Sequence, residues 1–155
     1  MGDLFGTKLR TLRVQHGLSQ VELAGKLALA QQSYVSHLET GKKEPSLELL
    51  IRVAHVCTVS TDYLLRDTVP VEPPHPAYHE HSDVSAPLGE KLMTLRLTAG
   101  LTQTTLAHHL GLAYPGYISN LENGSKFPSL TVVVKIADFF AVTTNWLLAG
   151  HVNTQ

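Results

Sequence analysis

The chain has one cysteine, one tryptophan and two methionines in 155 residues, and aromatic side chains make up only 6% of it. The single thiol, Cys57, excludes an internal disulfide. Its helical spacing among Val53, Val56 and Val59 points to a place in a core and not to a reactive site. Long apolar runs are missing: no stretch approaches the roughly 20 residues that a membrane-crossing helix needs. Met1 to Gly6 carry neither a basic stretch nor the apolar core of an export signal, so a cytoplasmic location is expected. Surplus charge is missing too, since 12 Lys+Arg face 13 Asp+Glu for a formal charge of −1. Bulk attraction to a polyanion is therefore unavailable, and any such binding must rest on a few well-placed cations. No Ser/His/Asp cluster, carboxylate pair or phosphate-cradling glycine loop stands out, so neither enzymatic chemistry nor a cofactor is expected.

What the chain does have is an internal repeat. Shifted by 83 positions, Gly6 to Leu65 aligns with Gly89 to Leu148 without a gap, and 28 of the 60 pairs are identical. Shared landmarks are Lys-Leu-x-Thr-Leu-Arg (Lys8 to Arg13, Lys91 to Arg96), Gly-Leu-Ser/Thr-Gln (Gly17 to Gln20, Gly100 to Gln103) and Leu-Glu-x-Gly-x-Lys-x-Pro-Ser-Leu (Leu38 to Leu47, Leu121 to Leu130). Self-similarity at this level marks modular construction. It sets two domains, residues 1–67 and 86–155, joined by residues 68–85. With prolines at 70, 73, 74 and 76 the joining segment sustains neither a helix nor a central strand. As an extended linker of about 3.1 Å per residue it would reach roughly 60 Å. Charge follows the same division: 8 Lys+Arg against 7 Asp+Glu in residues 1–67, 4 against 3 in residues 87–150, and none against 3 between them.

Each repeat carries the punctuation of five short helices. In the first, Asp3 is placed to cap a helix that buries Phe5, Leu9 and Leu12 and stops at Gly17. Ser19 and Glu22 form a capping box for the second, whose apolar stripe is Leu23, Ala24 and Leu27. After a turn at Ala28-Leu29-Ala30, the third runs from Gln31 or Gln32 to Glu39, with Val35 and Leu38 inward and Gly41 beyond its end. Ser46 and Ser60 cap the fourth and fifth. Gly100, Thr102, Gly124, Ser129 and Thr143 take the matching places in the second repeat, and Pro115 suits the first turn of its third helix. No period-2 alternation competes, so the class is all-α.

These residues resemble the phage repressor and Cro family, the XRE-type helix-turn-helix domains of the lambda-repressor-like type. The shared pattern runs from Leu12-Arg13 through Gly17-Leu18-Ser19-Gln20, Leu23-Ala24, Val35-Ser36-x-Leu38-Glu39-x-Gly41 and Pro45-Ser46-Leu47 to Asp62-Tyr63-Leu64-Leu65, and it recurs in the second repeat. In one respect the chain departs from it: both repeats have one residue more between Leu-Ala of the second helix and Val/Ile-Ser of the third.

The resemblance implies two tandem five-helix domains that bind double-stranded DNA as a transcriptional regulator, a repressor by default. The third helix of each domain would lie in the major groove. It implies that Gln20 and Gln103 approach a phosphate or a neighbouring base. Gln31, Gln32, Ser33, Ser36 and His37 are the polar residues left on the third helix once Val35 and Leu38 face inward. Glutamine can pair with adenine through two hydrogen bonds, which makes Gln32, with Ser33, the first candidate for base readout. Lys42 and Lys43 read as phosphate contacts or as solvated lysines. Arg13 is expected to pair with Glu39, and Arg96 with Glu122. In the second domain the corresponding surface is Tyr114, Pro115, Gly116, Ser119 and Asn120 with Lys126 alone, a poorer set of donors and cations. Phe139, Phe140 and Trp146 replace Val56, Cys57 and Tyr63 there, filling the core or, through the terminal helix at 144–149, joining two copies as a homodimer.

Two other readings compete. His75, His79 and His81, with Glu80 and Asp83, invite a metal-responsive regulator, although their spacing matches no closed site and no metal is expected. The same fold also serves as a protein-interaction module, antitoxin-like or as an accessory subunit. Such a role would need a segment to wrap its partner, and only the acidic linker and the tail His151 to Gln155 are spare.

Overall fold

The computed structural model describes residues 2–66 and 86–150, which are helical wherever they are regular. The chain divides into two compact units. The first holds α1 (Gly2–Gln15), α2 (Gln20–Lys26), α3 (Ser33–Glu39), α4 (Leu47–Cys57) and α5 (Thr61–Leu65). The second holds α6 (Leu88–Thr98), α7 (Gln103–His109), α8 (Gly116–Glu122), α9 (Leu130–Phe140) and α10 (Thr144–Leu148). Among the described residues there is no strand. None of the helices is long and apolar enough to cross a membrane.

In the first unit α1 buries Phe5, Leu9 and Leu12 at the i, i+4, i+7 spacing of one helical face. Leu23 and Leu27, Val35 and Leu38 of α3, and Leu50 and Val53 of α4 close on them, all fully buried. Burial of that kind stabilises by about 1.5–3 kcal/mol per large aliphatic side chain. Short helices make little of their own stability, so this packing and the caps hold them. Ser19 accepts the amide of Glu22 while the Glu22 carboxylate accepts the amide of Ser19, completing the expected box. Ser46 and Ser60 accept from Leu49 and Tyr63 at 3.2 and 3.1 Å. Thr102, Ser129 and Thr143 cap α7, α9 and α10 in the same way. The capping box itself is not repeated, because Thr105 stands where the first unit has Glu22.

Helix ends are closed by residues with positive φ. At Gly17 (φ 64) the chain reverses, and the Leu18 amide returns to the Arg13 carbonyl at 3.0 Å. After α2 the same reversal falls on Ala28 (φ 51), with Leu29 bonded to the Ala24 carbonyl at 2.9 Å, whereas the second unit has Gly111 (φ 63) at that point. Thr58 and Ala141 take φ 52 after α4 and α9.

Three expectations shift. Helix α1 already includes Gly2, so Asp3 lies inside it and not at its N-cap position. Helix α3 starts at Ser33, leaving Gln31 and Gln32 in the preceding turn, because the reversal at Ala28 and the extra residue consume that length. Gln32 is its N-cap residue, with helical φ and ψ and no side-chain capping bond. By the same shift Pro115 precedes α8 as its N-cap residue.

Candidate DNA interface

The turn and third helix of each unit are fixed by one carboxylate. Glu39, at the end of α3, pairs with Arg13 of α1 through two contacts, Nε to Oε1 at 2.5 Å and Nη2 to Oε2 at 3.2 Å. Its Oε2 also accepts from Gln20 Nε2 of α2 at 2.9 Å. The remaining Arg13 donor, Nη1, reaches the Leu18 carbonyl at 2.9 Å. Three helices and the turn between the first two thus meet at a pair of charges that is largely buried, with Glu39 4% and Arg13 15% exposed. The hydrogen bond that Arg13 donates to the Glu39 carboxylate pushes the Arg13 pKa up from its ordinary value. The second unit reproduces the arrangement: Arg96 to Glu122 at 2.6 and 3.0 Å, Arg96 to the Leu101 carbonyl at 2.8 Å, and Gln103 to Glu122 at 2.7 Å. The expected Arg–Glu pairs are therefore present. Gln20 and Gln103, singled out as nucleic-acid contacts, are half-buried and have one amide N–H committed to the node.

Helix α1 approaches α3 closely at Gly6. A β-carbon there would lie 2.4 Å from the Leu38 carbonyl oxygen and 2.8 Å from that of Glu39, and Gly89 meets Glu122 and Leu121 in the same way at 2.5 and 2.6 Å. The C-terminal end of α3 rests directly on α1 without a side chain in between. Two further ties were not anticipated from the sequence. Arg52 Nη1 donates to the Leu27 carbonyl at 2.7 Å, holding the last turn of α2, and Lys135 does the same to Leu110 at 2.9 Å. Lys8 donates to the carbonyls of Tyr63 and Arg66, as Lys91 does to those of Trp146 and Ala149 at 2.8 and 2.6 Å. The signal for these was the repeat itself, which keeps Gly6, Lys8 and a cation at 52 in both copies.

On this platform Gln31, Gln32 and Ser33 are exposed at the start of α3, Ser36 and His37 are half-buried along it, and Lys42 and Lys43 are exposed just beyond its end. The Lys43 ammonium lies 4.8 Å from the centre of the Tyr34 ring, a cation–π contact that the sequence did not suggest. In the second unit Tyr114 is 67% exposed before α8, Lys126 is exposed after it, and Gly116, Ser119 and Asn120 are half-buried. Asn120 is partly engaged in its own loop, accepting from Ser125 Oγ at Oδ1 (3.3 Å) and at its carbonyl (3.3 Å).

The enlarged apolar set of the second unit divides. Trp146 is buried with Leu147 and Leu148 inside its own unit, but Phe139 is 40% exposed and Phe140 half-buried. Phe140, at the position where the first unit buries Cys57, meets Phe139 edge-on at 4.9 Å, and Phe139 in turn lies 5.2 Å from the His109 ring. Cys57 is buried, as expected, and burial pushes its thiol pKa up. Among the described residues no group of three or more His, Cys, Asp or Glu side chains is placed to hold a metal. His75, His79, His81, Glu80 and Asp83 lie outside the described residues, as does the tail from His151.

A helix-turn-helix family matches residues 9–64, and a helix-turn-helix domain family matches residues 89–151. The chain is 38% identical over 65 residues to the SPbeta prophage-derived uncharacterized HTH-type transcriptional regulator YonR of Bacillus subtilis, covering 42% of this chain and 59% of that one. It is 35% identical over 63 residues to the uncharacterized HTH-type transcriptional regulator YqaE of the same organism, covering 41% and 53%. An uncharacterized HTH-type transcriptional regulator of Archaeoglobus fulgidus is 40% identical over 50 residues, which are 32% of this chain and 70% of that one. The chain thus spans little more than half the length of the Bacillus relatives. No solved structure matches the chain. With both units matched and the same Arg–Glu–Gln node built into each, the chain belongs to the XRE-type helix-turn-helix family and carries the fold twice.

Proposed function

We propose that this protein is a sequence-specific DNA-binding transcriptional regulator, acting as a repressor, with α3 and α8 as the helices that enter the major groove. One observation carries the reading. Gln31, Gln32 and Ser33 stand exposed at the leading end of α3, and Lys42 and Lys43 stand exposed past its trailing end. Helix α3 itself is held by Arg13, Glu39 and Gln20. A rigid short helix with base-pairing donors at one end and cations at the other fits a groove flanked by phosphates. The names of the relatives, all HTH-type transcriptional regulators, support it.

The charge balance of the chain argues for two-point attachment. A formal charge of −1 gives little non-specific affinity, so tethering two readers raises occupancy without more cations. Half-sites one helical turn apart are about 34 Å from centre to centre, inside the roughly 60 Å that the segment 68–85 would span when extended.

The test is a selection of bound duplexes by the full chain, followed by salt titrations. The double variant Gln32→Ala, Ser33→Ala should lose base preference at one half-site and keep its salt dependence. Lys42→Ala with Lys43→Ala should weaken all duplexes alike and make the slope of log affinity against log salt shallower by about 1.8. Failure to enrich any sequence would sink the reading.

A further inference from the structure

The leading end of α8 differs in kind from that of α3. Where the first unit has Gln31, Gln32 and Ser33, the second has Tyr114, Pro115 and Gly116. Three hydrogen-bonding side chains are thereby reduced to one hydroxyl. That hydroxyl is turned back onto the helix: a β-carbon at Gly116 would lie 2.7 Å from Tyr114 Oη, 2.7 Å from Cζ and 2.5 Å from Cε1. The ring occupies the space that any side chain at 116 would fill. Tyr114 is nonetheless 67% exposed, so the residue stays open to a ligand while one edge of its ring lies over Gly116. Glycine at 116 and an aromatic at 114 are thus one device, since the absent side chain of the first is the seat of the second.

We propose that Gly116 is a positioning residue that seats the Tyr114 ring, and that the seated ring selects thymine in the half-site read by the second unit, through the thymine C5-methyl. The inference rests on the reading of α8 as a groove-entering helix. Among the features that base edges show in the major groove, the thymine methyl is the apolar one, and it is the feature that an aromatic ring face favours. Polar base edges facing that ring would lose water and gain no partner. The first unit, with amides and a hydroxyl at the same three positions, reads by hydrogen bonds, so the two units select different half-sites.

The experiment uses the full chain in a selection from randomised duplexes, with wild type, Tyr114→Phe, Tyr114→Gln and Gly116→Ser. Wild type and Tyr114→Phe should enrich thymine at one position of the second half-site. Tyr114→Gln, and Gly116→Ser by unseating the ring, should both lose that preference and leave the first half-site unchanged. Replacing that thymine with deoxyuridine, which removes only the methyl, should weaken wild type roughly fourfold, the worth of one buried methyl group, and leave Tyr114→Gln unaffected. The wild-type half of this last arm needs no variant to fold. Gly116→Ser displaces only the far end of one flexible side chain, and Ser33 holds the matching place in the first unit.

A second half-site whose preference survives both variants and the uridine exchange would overturn the inference and leave the DNA-reading function standing. Uniform weakening by Tyr114→Gln, with no change in preference, would overturn it in favour of a backbone contact. A selection that returns a single half-site, indifferent to every change in the second unit, would remove α8 as a reader and the inference with it.

Discussion

The side-chain amide of Gln20 donates to Glu39 at 2.9 Å, on the carboxylate oxygen that also takes the second contact from Arg13. One acid therefore sets the angle of α3 against two helices at once. It also orients the amide of the residue that opens α2. Removing that carboxylate leaves a mostly buried guanidinium without its partner, which costs more than the pair contributes. Glu39→Ala should lower the stability of the first unit by roughly 2–4 kcal/mol. Replacing Arg13 and Glu39 together with methionine should recover much of the loss. Denaturant melts of the three proteins decide it, and equal loss in the single and double variants would contradict the account.

Gly6 and Gly25 both sit inside helices, yet their substitutions should act in opposite directions. Alanine at 25 meets nothing within 4 Å and gains helix propensity, so Gly25→Ala should stabilise by about 0.5–1 kcal/mol. Alanine at 6 would meet the Leu38 and Glu39 carbonyl oxygens, which are backbone and cannot swing away. Gly6→Ala should destabilise by roughly 1–3 kcal/mol and, by lifting α3, weaken DNA binding as well. Thermal melts with matched binding titrations would show whether the signs differ.

Ala28 holds a left-handed conformation (φ 51) at the point where the second unit has Gly111. A β-carbon costs about 1 kcal/mol in that conformation, offset in part by the greater freedom of glycine in the unfolded chain. Ala28→Gly should raise stability by about 0.5 kcal/mol, and Gly111→Ala should lower it by a similar amount. A loss on Ala28→Gly would mean that the reversal carries no strain.

The Glu22 carboxyl is held below its usual pKa, first by the backbone N–H of Ser19 and then by its hydroxyl. A folded-state pKa below the unfolded one gives a contribution present above the unfolded pKa and lost as pH falls through the folded one. Glu22→Ala should therefore be less stable than wild type at pH 7, and the gap should close below about pH 4. Thr105, uncharged at the matching position, should show a pH-independent effect when changed to alanine. Stability measured from pH 7 down to pH 3 separates the two.

Much of this was readable beforehand because it is local. Ser19, Ser46 and Ser60 announce caps through bonds to residues three ahead, and the apolar spacing of Leu9, Leu12, Val35 and Leu38 marks inward faces. The Arg13–Glu39 pair came from family resemblance. Features that depend on two distant segments meeting were not readable. The bare contact at Gly6 requires the packing of α1 on α3, and the reach of Lys8 to Tyr63 spans 55 positions. The start of α3 was misplaced because a left-handed alanine was not anticipated: its side chain gives no sign of the reversal that glycine declares at 111. At the candidate interface, residue types at 114 and 116 were visible, but the ring lying on the glycine was not.

Lys8 of α1 grips the carbonyls of Tyr63 and Arg66 at the end of α5, so the first and last helices of the unit form a clasp. Tension transmitted through the chain beyond Arg66 enters the unit at that clasp and passes into α1. Because α3 rests on α1 at Gly6 and is tied to it through Arg13 and Glu39, a pull on the chain is felt beneath α3 as well.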